Sequence, residues 1–156
     1  MTEQRFDVLT IGNAIVDVLA HTEEDFLVRE GLVKGSMRLI DGAEADRLYG
    51  HMGPAQLISG GCAGNTAAGV ASFGGRAAFI GKVADDELGR FFRHDMQALG
   101  IHFPTANLED GAPTARSMIL ITPDGERTMN TYLGACQELT PDDIDSATVE
   151  GAAITY

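Results

Sequence analysis

The sequence is poor in the residues that build metal sites and disulfide frameworks. Its 156 residues include two cysteines, Cys62 and Cys136, and four histidines. Neither residue type recurs at the CxxC, HxxxH or HExxH spacing that holds zinc, and two cysteines are too few for a disulfide framework. We therefore expect no metal ligands in this stretch of chain and a reducing, cytoplasmic compartment.

Positive charge and long apolar runs are also scarce. The chain carries 11 Lys and Arg residues against 23 Asp and Glu residues, a formal net charge of −12. Such a surface repels a phosphate backbone, so nucleic acid is not an expected partner. No apolar run reaches the length of a membrane span, and the first residues, MTEQRFDVLTIG, lack the basic and apolar parts of a secretory signal. A membrane is therefore not an expected partner either.

The sequence does contain an alternation of short apolar runs and helical patterns. These patterns predict strands at 6–13, 36–41, 76–83 and 152–156, helices at 22–31, 43–52, 65–75, 87–99 and 140–151, and an antiparallel hairpin at 114–134. Thr22 and Thr140 are predicted N-caps, and Pro141 suits a first helical position. Alternating strands and helices indicate a single α/β domain with a parallel sheet covered on both faces, beside a small β appendage.

Two glycine-containing loops follow predicted strands or precede predicted helices: GNAIVD at 12–17 and GGCAGN at 60–65. Neither is a dinucleotide fingerprint, because GNAIVD contains a single glycine. A third stretch, GRAAFIGKV, superficially resembles a P-loop. Five residues separate Gly75 from Gly81 where four are required, and Val83 stands where Ser or Thr would hold magnesium. Phosphate binding by these loops is therefore not predicted.

The remaining interpretation is a cradle for a polyhydroxylated substrate. Consecutive glycines expose backbone N–H groups, and the Asn65 amide can both donate and accept hydrogen bonds. Asp17 offers a carboxylate that accepts from two neighbouring hydroxyls, and Asn13 lies four residues before it. The structural alternative is a tight strand-to-helix turn at Gly60 and Gly61, with Asp17 as a turn acid and Asn13 as a strand terminator.

Four segments, in this order and spacing, resemble the N-terminal half of the ribokinase-like family of sugar and nucleoside kinases, the phosphofructokinase-B type. They are GNAIVD, GGCAGNTAAGVASFGG, FIGKVADDELGRFF and PDGERTMNTYLGACQELTPDDI. Two further stretches, DFLVREGLVKGSMRLID and TARSMILIT, are more similar to adenosine kinases than to ribokinase itself. Ala84 departs from the family, which usually has glycine between GKV and the acid pair.

The resemblance implies a three-layer α/β fold with a parallel sheet and a small β lid. Residues 1–16, 43–103 and 136–156 would form the α/β core, and residues 17–42 and 104–135 the lid. The last predicted strand would lie in mid-sheet, so we expect either a chain truncated relative to the family, as one portion of a longer protein, or a chain that a partner segment completes. The nucleotide site and the catalytic base would then follow Tyr156, with no catalytic residue before it. A homodimer formed through the lid is also implied.

The activity implied by the resemblance is phosphorylation of a sugar or nucleoside hydroxyl, with ATP and Mg²⁺ as cofactors. Asp17 would hold sugar hydroxyls, and Asn13, Gly60, Gly61 and Asn65 would complete the cradle. Leu39, Ser117 and Leu133 would lie in the lid near the base or aglycone, where the alternative for the two leucines is simple packing. An alternative for the whole chain is a non-catalytic sugar- or nucleoside-binding module.

Overall fold

The computed structural model describes residues 5–156, which form eight strands and five α-helices. The strands are β1 (Phe6–Ile11), β2 (Ile15–His21), β3 (Met37–Leu39), β4 (Gln56–Gly60), β5 (Ala77–Ile80), β6 (Ala115–Ile121), β7 (Arg127–Tyr132) and β8 (Ala152–Thr155). The helices are α1 (Glu24–Arg29), α2 (Gly42–His51), α3 (Cys62–Ser72), α4 (Glu87–Ala98) and α5 (Ser146–Glu150). Within the described residues, no helix is long and apolar enough to cross a membrane.

The first sheet is parallel and has the strand order β5-β1-β8. One face packs on α3 and α4 through a cluster that contains Phe79 and Phe92, whose ring centroids lie 5.6 Å apart, together with Phe103. The other face, with Leu9 and Ile80, packs against the segment that contains α5. Helices therefore cover both faces of a sheet whose strands are mostly apolar, which confirms the predicted three-layer α/β fold.

The second sheet is mixed and has the strand order β3-β7-β6-β2-β4. Its strand β2 alternates between buried and more exposed residues, as expected for a strand with one covered face. The covered face packs α1 and α2 against β2 and β6, with Phe26, Leu48, Met118 and Leu120 among the buried residues. The opposite face includes the exposed Leu39 as well as the buried Ser117 and Thr131, and we call it the open face of the lid sheet.

Strands β2 and β4 did not appear in the pattern of predicted elements. Both belong to the lid sheet, where β4 pairs antiparallel with β2. The division into core and lid stays a prediction. It assigned residues 15–16 and 56–60 to the core, whereas strand pairing places both segments in the lid sheet. The two strands are far apart in the sequence, so no turn directly between them indicates that β4 pairs with β2.

Two predicted helix features were wrong. Helix α1 begins after Glu23 without a side-chain cap, so Thr22 is not its N-cap. The helix predicted over 140–151 is divided into a 3₁₀ turn at Pro141–Asp143 and the short α5. The division arises because Asp145 is extended and its carboxylate accepts from the Thr148 N–H at 2.8 Å, which starts a new helix there.

Candidate functional site

The candidate site is built on a row of residues that crosses the lid sheet. Asp17 of β2 pairs with Ser117 of β6, Ser117 pairs with Thr131 of β7, and Thr131 pairs with Leu39 of β3. On the other side, Asp17 pairs with Ile58 of β4. Since directly paired residues project from the same face of a sheet, all five side chains belong to the open face.

Gly60 and Gly61 lie against this row at the point where β4 turns into α3. A Cβ atom on Gly60 would come within 2.5 Å of Oδ2 of Asp17. Gly61 has φ +86°, and a Cβ on it would lie 2.2 Å from the backbone oxygen of Asn13. Both positions therefore require glycine, one for the Asp17 carboxylate and the other for a left-handed conformation and a close backbone approach.

Asn13 and Asn65 are placed on the two sides of this turn. The Asn13 side chain is exposed beside Gly61, and Asn65 is exposed in the first turn of α3, where its N–H donates to the Gly61 oxygen at 2.8 Å. Between the end of β1 and the start of α3 lies an open cleft of about 380 Å³, lined by residues that include Asn13, Gly61 and Cys62. The glycine turn thus faces a space that a small ligand can enter.

The Asp17 carboxylate is half-buried, and its pKa is shifted from the ordinary value. Burial raises the pKa of the Asp17 carboxyl above its ordinary value, and the positive charge of Arg127 partly offsets the rise. Among residues 5–156, none donates a hydrogen bond to this carboxylate. A partly desolvated carboxylate with free lone pairs is suited to accept hydrogen bonds from a ligand's hydroxyls.

Beyond Asp17 the row becomes less polar. The hydroxyls of Ser117 and Thr131 hydrogen-bond each other at 2.8 Å, and both residues are buried. Leu39, at the end of the row, is 62% exposed. The open face therefore grades from a charged end at Asp17 through a pair of hydroxyls to an apolar end.

The structure brings together most of the residues that the sequence predicted for the site. Asp17, Ser117 and Leu39 share one row, and Gly60 and Gly61 adjoin it. Leu133 differs, since it lies beyond the end of β7 at the start of a 3₁₀ turn, half-buried, where its carbonyl accepts from Cys136. The roles of all eight predicted residues stay predictions.

Sequence analysis missed Thr131 and Arg127, both on β7. Their two-residue spacing with Met129 predicts a shared strand face. It does not indicate that this face carries Asp17, because the pairing of β2 with β6 joins residues 100 positions apart, as in Asp17 and Ser117. The sequence therefore indicates that these two residues share a strand face, but not that this face includes Asp17.

The family assignment follows from comparison with known proteins. The pattern of the pfkB family of carbohydrate kinases matches residues 8–156. The chain belongs to the pfkB family. The predicted family resemblance and ribokinase-like fold are thereby confirmed, and the chain is part of a sugar or nucleoside kinase family.

Solved structures and curated relatives of this pfkB chain include both nucleoside and sugar kinases. The adenosine kinase from Sinorhizobium meliloti is 58% identical, with a TM-score of 0.91, over 97% of this chain and 46% of that one. A probable sugar kinase from Rhizobium etli is 54% identical, with a TM-score of 0.92, over 98% of this chain and 46% of that one. A fructokinase from Solanum tuberosum is 32% identical over 62% of this chain and 31% of its own length.

Asp86 ties the lid sheet of this pfkB chain to the core. It is the N-cap of α4, and its Oδ1 accepts from the Gly89 N–H at 2.7 Å. The same carboxylate accepts from the N–H and the hydroxyl of Thr114, at 2.8 and 2.7 Å, directly before β6 begins. The Thr114 hydroxyl oxygen in turn accepts from the N–H of Ala84 at 2.9 Å.

Proposed function

We propose that this chain supplies the substrate cradle and lid of a kinase that transfers a phosphoryl group from ATP to a hydroxyl of a nucleoside, with adenosine as the best candidate substrate. The chain spans about half the length of the solved structures it matches, so this activity is a proposal about the whole protein. The observation that carries it is the Asp17 row, which offers a carboxylate at one end and an apolar surface at the other.

In this proposal, Asp17 accepts hydrogen bonds from sugar hydroxyls that do not react. The Gly60–Gly61 turn lets the sugar approach the backbone, and exposed N–H groups at the start of α3 favour a ligand oxygen there. Asn13 and Asn65 flank the same turn and complete the cradle. Holding two hydroxyls fixes the orientation of the third, which is the contribution of positioning to phosphoryl transfer.

The apolar end of the row favours a nucleoside over a free sugar. Neighbouring strands lie roughly 4.8 Å apart, so the three spacings from Asp17 to Leu39 extend over about 14 Å. A free sugar presents hydroxyls on all sides, whereas a nucleoside also carries a flat base whose faces can pack on an apolar surface. Leu39 and Met37, 62% and 60% exposed, provide the apolar surface for that base. Leu133 is proposed to lie near its edge.

ATP and Mg²⁺ are the proposed cofactors, since they supply the transferred phosphoryl group and neutralise its charge. Within residues 5–156, His, Cys, Asp and Glu side chains form no group of three or more that could hold a metal ion. Mg²⁺ in kinases is usually held by one or two carboxylates together with the phosphates of the nucleotide, and we propose that the nucleotide site and the catalytic base belong to other residues of the whole protein. Dimerisation through the lid and a cytoplasmic location stay predictions.

The test is phosphoryl transfer by the full-length protein that carries these residues. Adenosine, ribose and fructose are each offered with MgATP, and products are identified by mass spectrometry. We expect adenosine to give the highest kcat/KM. Preferred turnover of fructose would replace the nucleoside by a sugar and leave the kinase assignment standing, whereas turnover of none of the three would overturn the proposal.

A further inference from the structure

A pair of buried hydroxyls lies in the middle of the Asp17 row, and nothing in the proposed role of Asp17 explains it. The Oγ atom of Ser117 and the Oγ1 atom of Thr131 are 2.8 Å apart, and either can be the donor. Ser117 is 4% exposed and Thr131 is 8% exposed. A valine at the second position would fill the same space without the hydroxyl, so packing alone does not require threonine.

The nearby charge on Asp17 selects one orientation of the pair. Asp17 pairs directly with Ser117 in the neighbouring strand, and the carboxylate receives no hydrogen bond from any of residues 5–156. A negative charge attracts the hydrogen ends of nearby hydroxyl dipoles, and a chain of hydroxyls polarises in one direction. The orientation that this charge favours has Thr131 donating to Ser117 and Ser117 donating toward the Asp17 end of the row.

We propose that Thr131 is a positioning residue that keeps the Ser117 hydroxyl directed at the substrate as a hydrogen-bond donor. The inference rests on the proposed function and deepens it, because it specifies the chemistry of the substrate atom over β6. That atom is an acceptor, and it lies about one strand spacing from the hydroxyls that Asp17 holds. In adenosine, the N3 atom of the purine ring has a lone pair beside the ribose hydroxyls, which meets this requirement.

The same argument predicts which changes the pair tolerates. Thr131→Ser keeps a hydroxyl that donates to Ser117, so the orientation persists. Thr131→Val keeps the branched shape but removes the donor, and the Ser117 hydroxyl is then free to rotate away from the substrate. Ser117→Ala removes the donor itself, after which the residue at position 131 no longer matters to the acceptor atom.

The experiment measures dissociation constants by calorimetry on the full-length protein, with adenosine and with 3-deazaadenosine, which carries C–H in place of N3. We expect Thr131→Val to weaken adenosine binding about fivefold, the effect of one hydrogen bond, and Thr131→Ser to stay within about twofold of wild type. Binding of 3-deazaadenosine should be unaffected by Thr131→Val. The Ser117→Ala/Thr131→Val double variant should bind adenosine as Ser117→Ala does.

Other results overturn the inference. Equal losses of adenosine affinity in Thr131→Val and Thr131→Ser would assign Thr131 to packing. Equal losses of affinity for adenosine and 3-deazaadenosine in Thr131→Val would exclude N3 as the atom that accepts from Ser117. Additive losses in the double variant would show that the two hydroxyls act independently. If wild type phosphorylates adenosine while Thr131→Val and Ser117→Ala bind it normally, this inference alone fails; if wild type binds no nucleoside or sugar, the proposed function fails with it.

Discussion

Gly60 lies diagonally across from Asp17 on the neighbouring strand, so closely that a Cβ on the glycine would lie 2.5 Å from Oδ2 and 2.8 Å from Cγ of the aspartate. The short Asp17 side chain can avoid such a clash by rotating out of the row, and this would move the carboxylate from the position that we propose for sugar hydroxyls. We therefore expect a side chain at position 60 to reduce substrate binding more than it reduces the stability of the fold.

The first prediction follows from this contact. Gly60→Ala in the full-length protein should weaken binding of the preferred substrate by at least about tenfold, because a carboxylate displaced by about an ångström loses its hydrogen-bond geometry. The matched control is Gly69→Ala in the middle of α3, where a Cβ meets nothing within 4 Å. The control should bind normally and be more stable to urea by about 0.5 to 1 kcal/mol. Unchanged binding by Gly60→Ala would contradict the prediction.

Part of this site was predictable from the sequence because it is local. The glycines of GGCAGN, with Asn65 three residues on from Cys62, and the acid of GNAIVD carry a chemical pattern within a few residues. The predicted strands of the hairpin and the helix α4 also follow from short-range periodicity. These features required no knowledge of which strands are neighbours.

The rest was not predictable because it depends on pairing between distant segments. Thr131 reaches the site only through the registers of β7 with β6 and of β6 with β2. The turn of the hairpin sets the first register, but no local sequence signal fixes the second. The helix predicted over 140–151 failed for a local reason. The Asp145 side chain accepts a hydrogen bond from a backbone N–H and so starts a new helix. The periodicity of apolar residues does not indicate this hydrogen bond.

The second prediction concerns the charge of Asp17. Since burial raises its pKa in the folded protein, the folded state holds this proton more tightly than the unfolded state. Ionisation of Asp17 therefore lowers the free energy of unfolding as the pH rises from the unfolded pKa of about 3.9 through the folded pKa. Asp17→Asn should then be more stable than wild type at pH 7, with the difference vanishing at the acid end of this window.

NMR titration of the Asp17 carboxyl carbon tests the same charge directly. The pKa should lie above its ordinary value in wild type and rise further in Arg127→Ala, because the Arg127 charge lowers it. Arg29→Ala is the control, since Arg29 stacks over Phe26 on the covered side of the lid sheet. A pKa at or below the ordinary value in wild type would contradict the burial that we assign to this carboxylate.

The third prediction compares two neighbouring aspartates. Burial raises the pKa of Asp86, but hydrogen bonds from Thr114 and Gly89 outweigh it and hold the pKa below its ordinary value. Asp86→Ala should cost about 2 to 3 kcal/mol in the free energy of unfolding, because it removes a helix cap and leaves the Thr114 N–H without its acceptor. Asp85→Ala removes only an exposed ion pair with Arg90 at 3.4 Å and should cost less than about 0.5 kcal/mol.

The pH dependence of the Asp86 contribution has the opposite sign to that of Asp17. A lowered folded pKa means that the stabilisation is complete above the unfolded pKa of about 3.9 and is lost as the pH falls through the folded pKa. Urea unfolding at a series of pH values should therefore show the gap between wild type and Asp86→Ala closing in acid. A difference in the free energy of unfolding that stays constant with pH would contradict the claim that Asp86 caps the helix as an ionised carboxylate.

The most direct test of the account is the effect of Asp17→Asn on substrate affinity, measured by calorimetry with the full-length protein and its preferred substrate. Asp25→Asn, an exposed acid in α1, is the control for loss of one negative charge. We predict that Asp17→Asn costs about 1.5 to 3 kcal/mol, a loss of roughly 10- to 150-fold in affinity, because charge-assisted hydrogen bonds to the hydroxyls are removed. Affinity equal to that of wild type and of Asp25→Asn would contradict the claim that the Asp17 row is the substrate cradle.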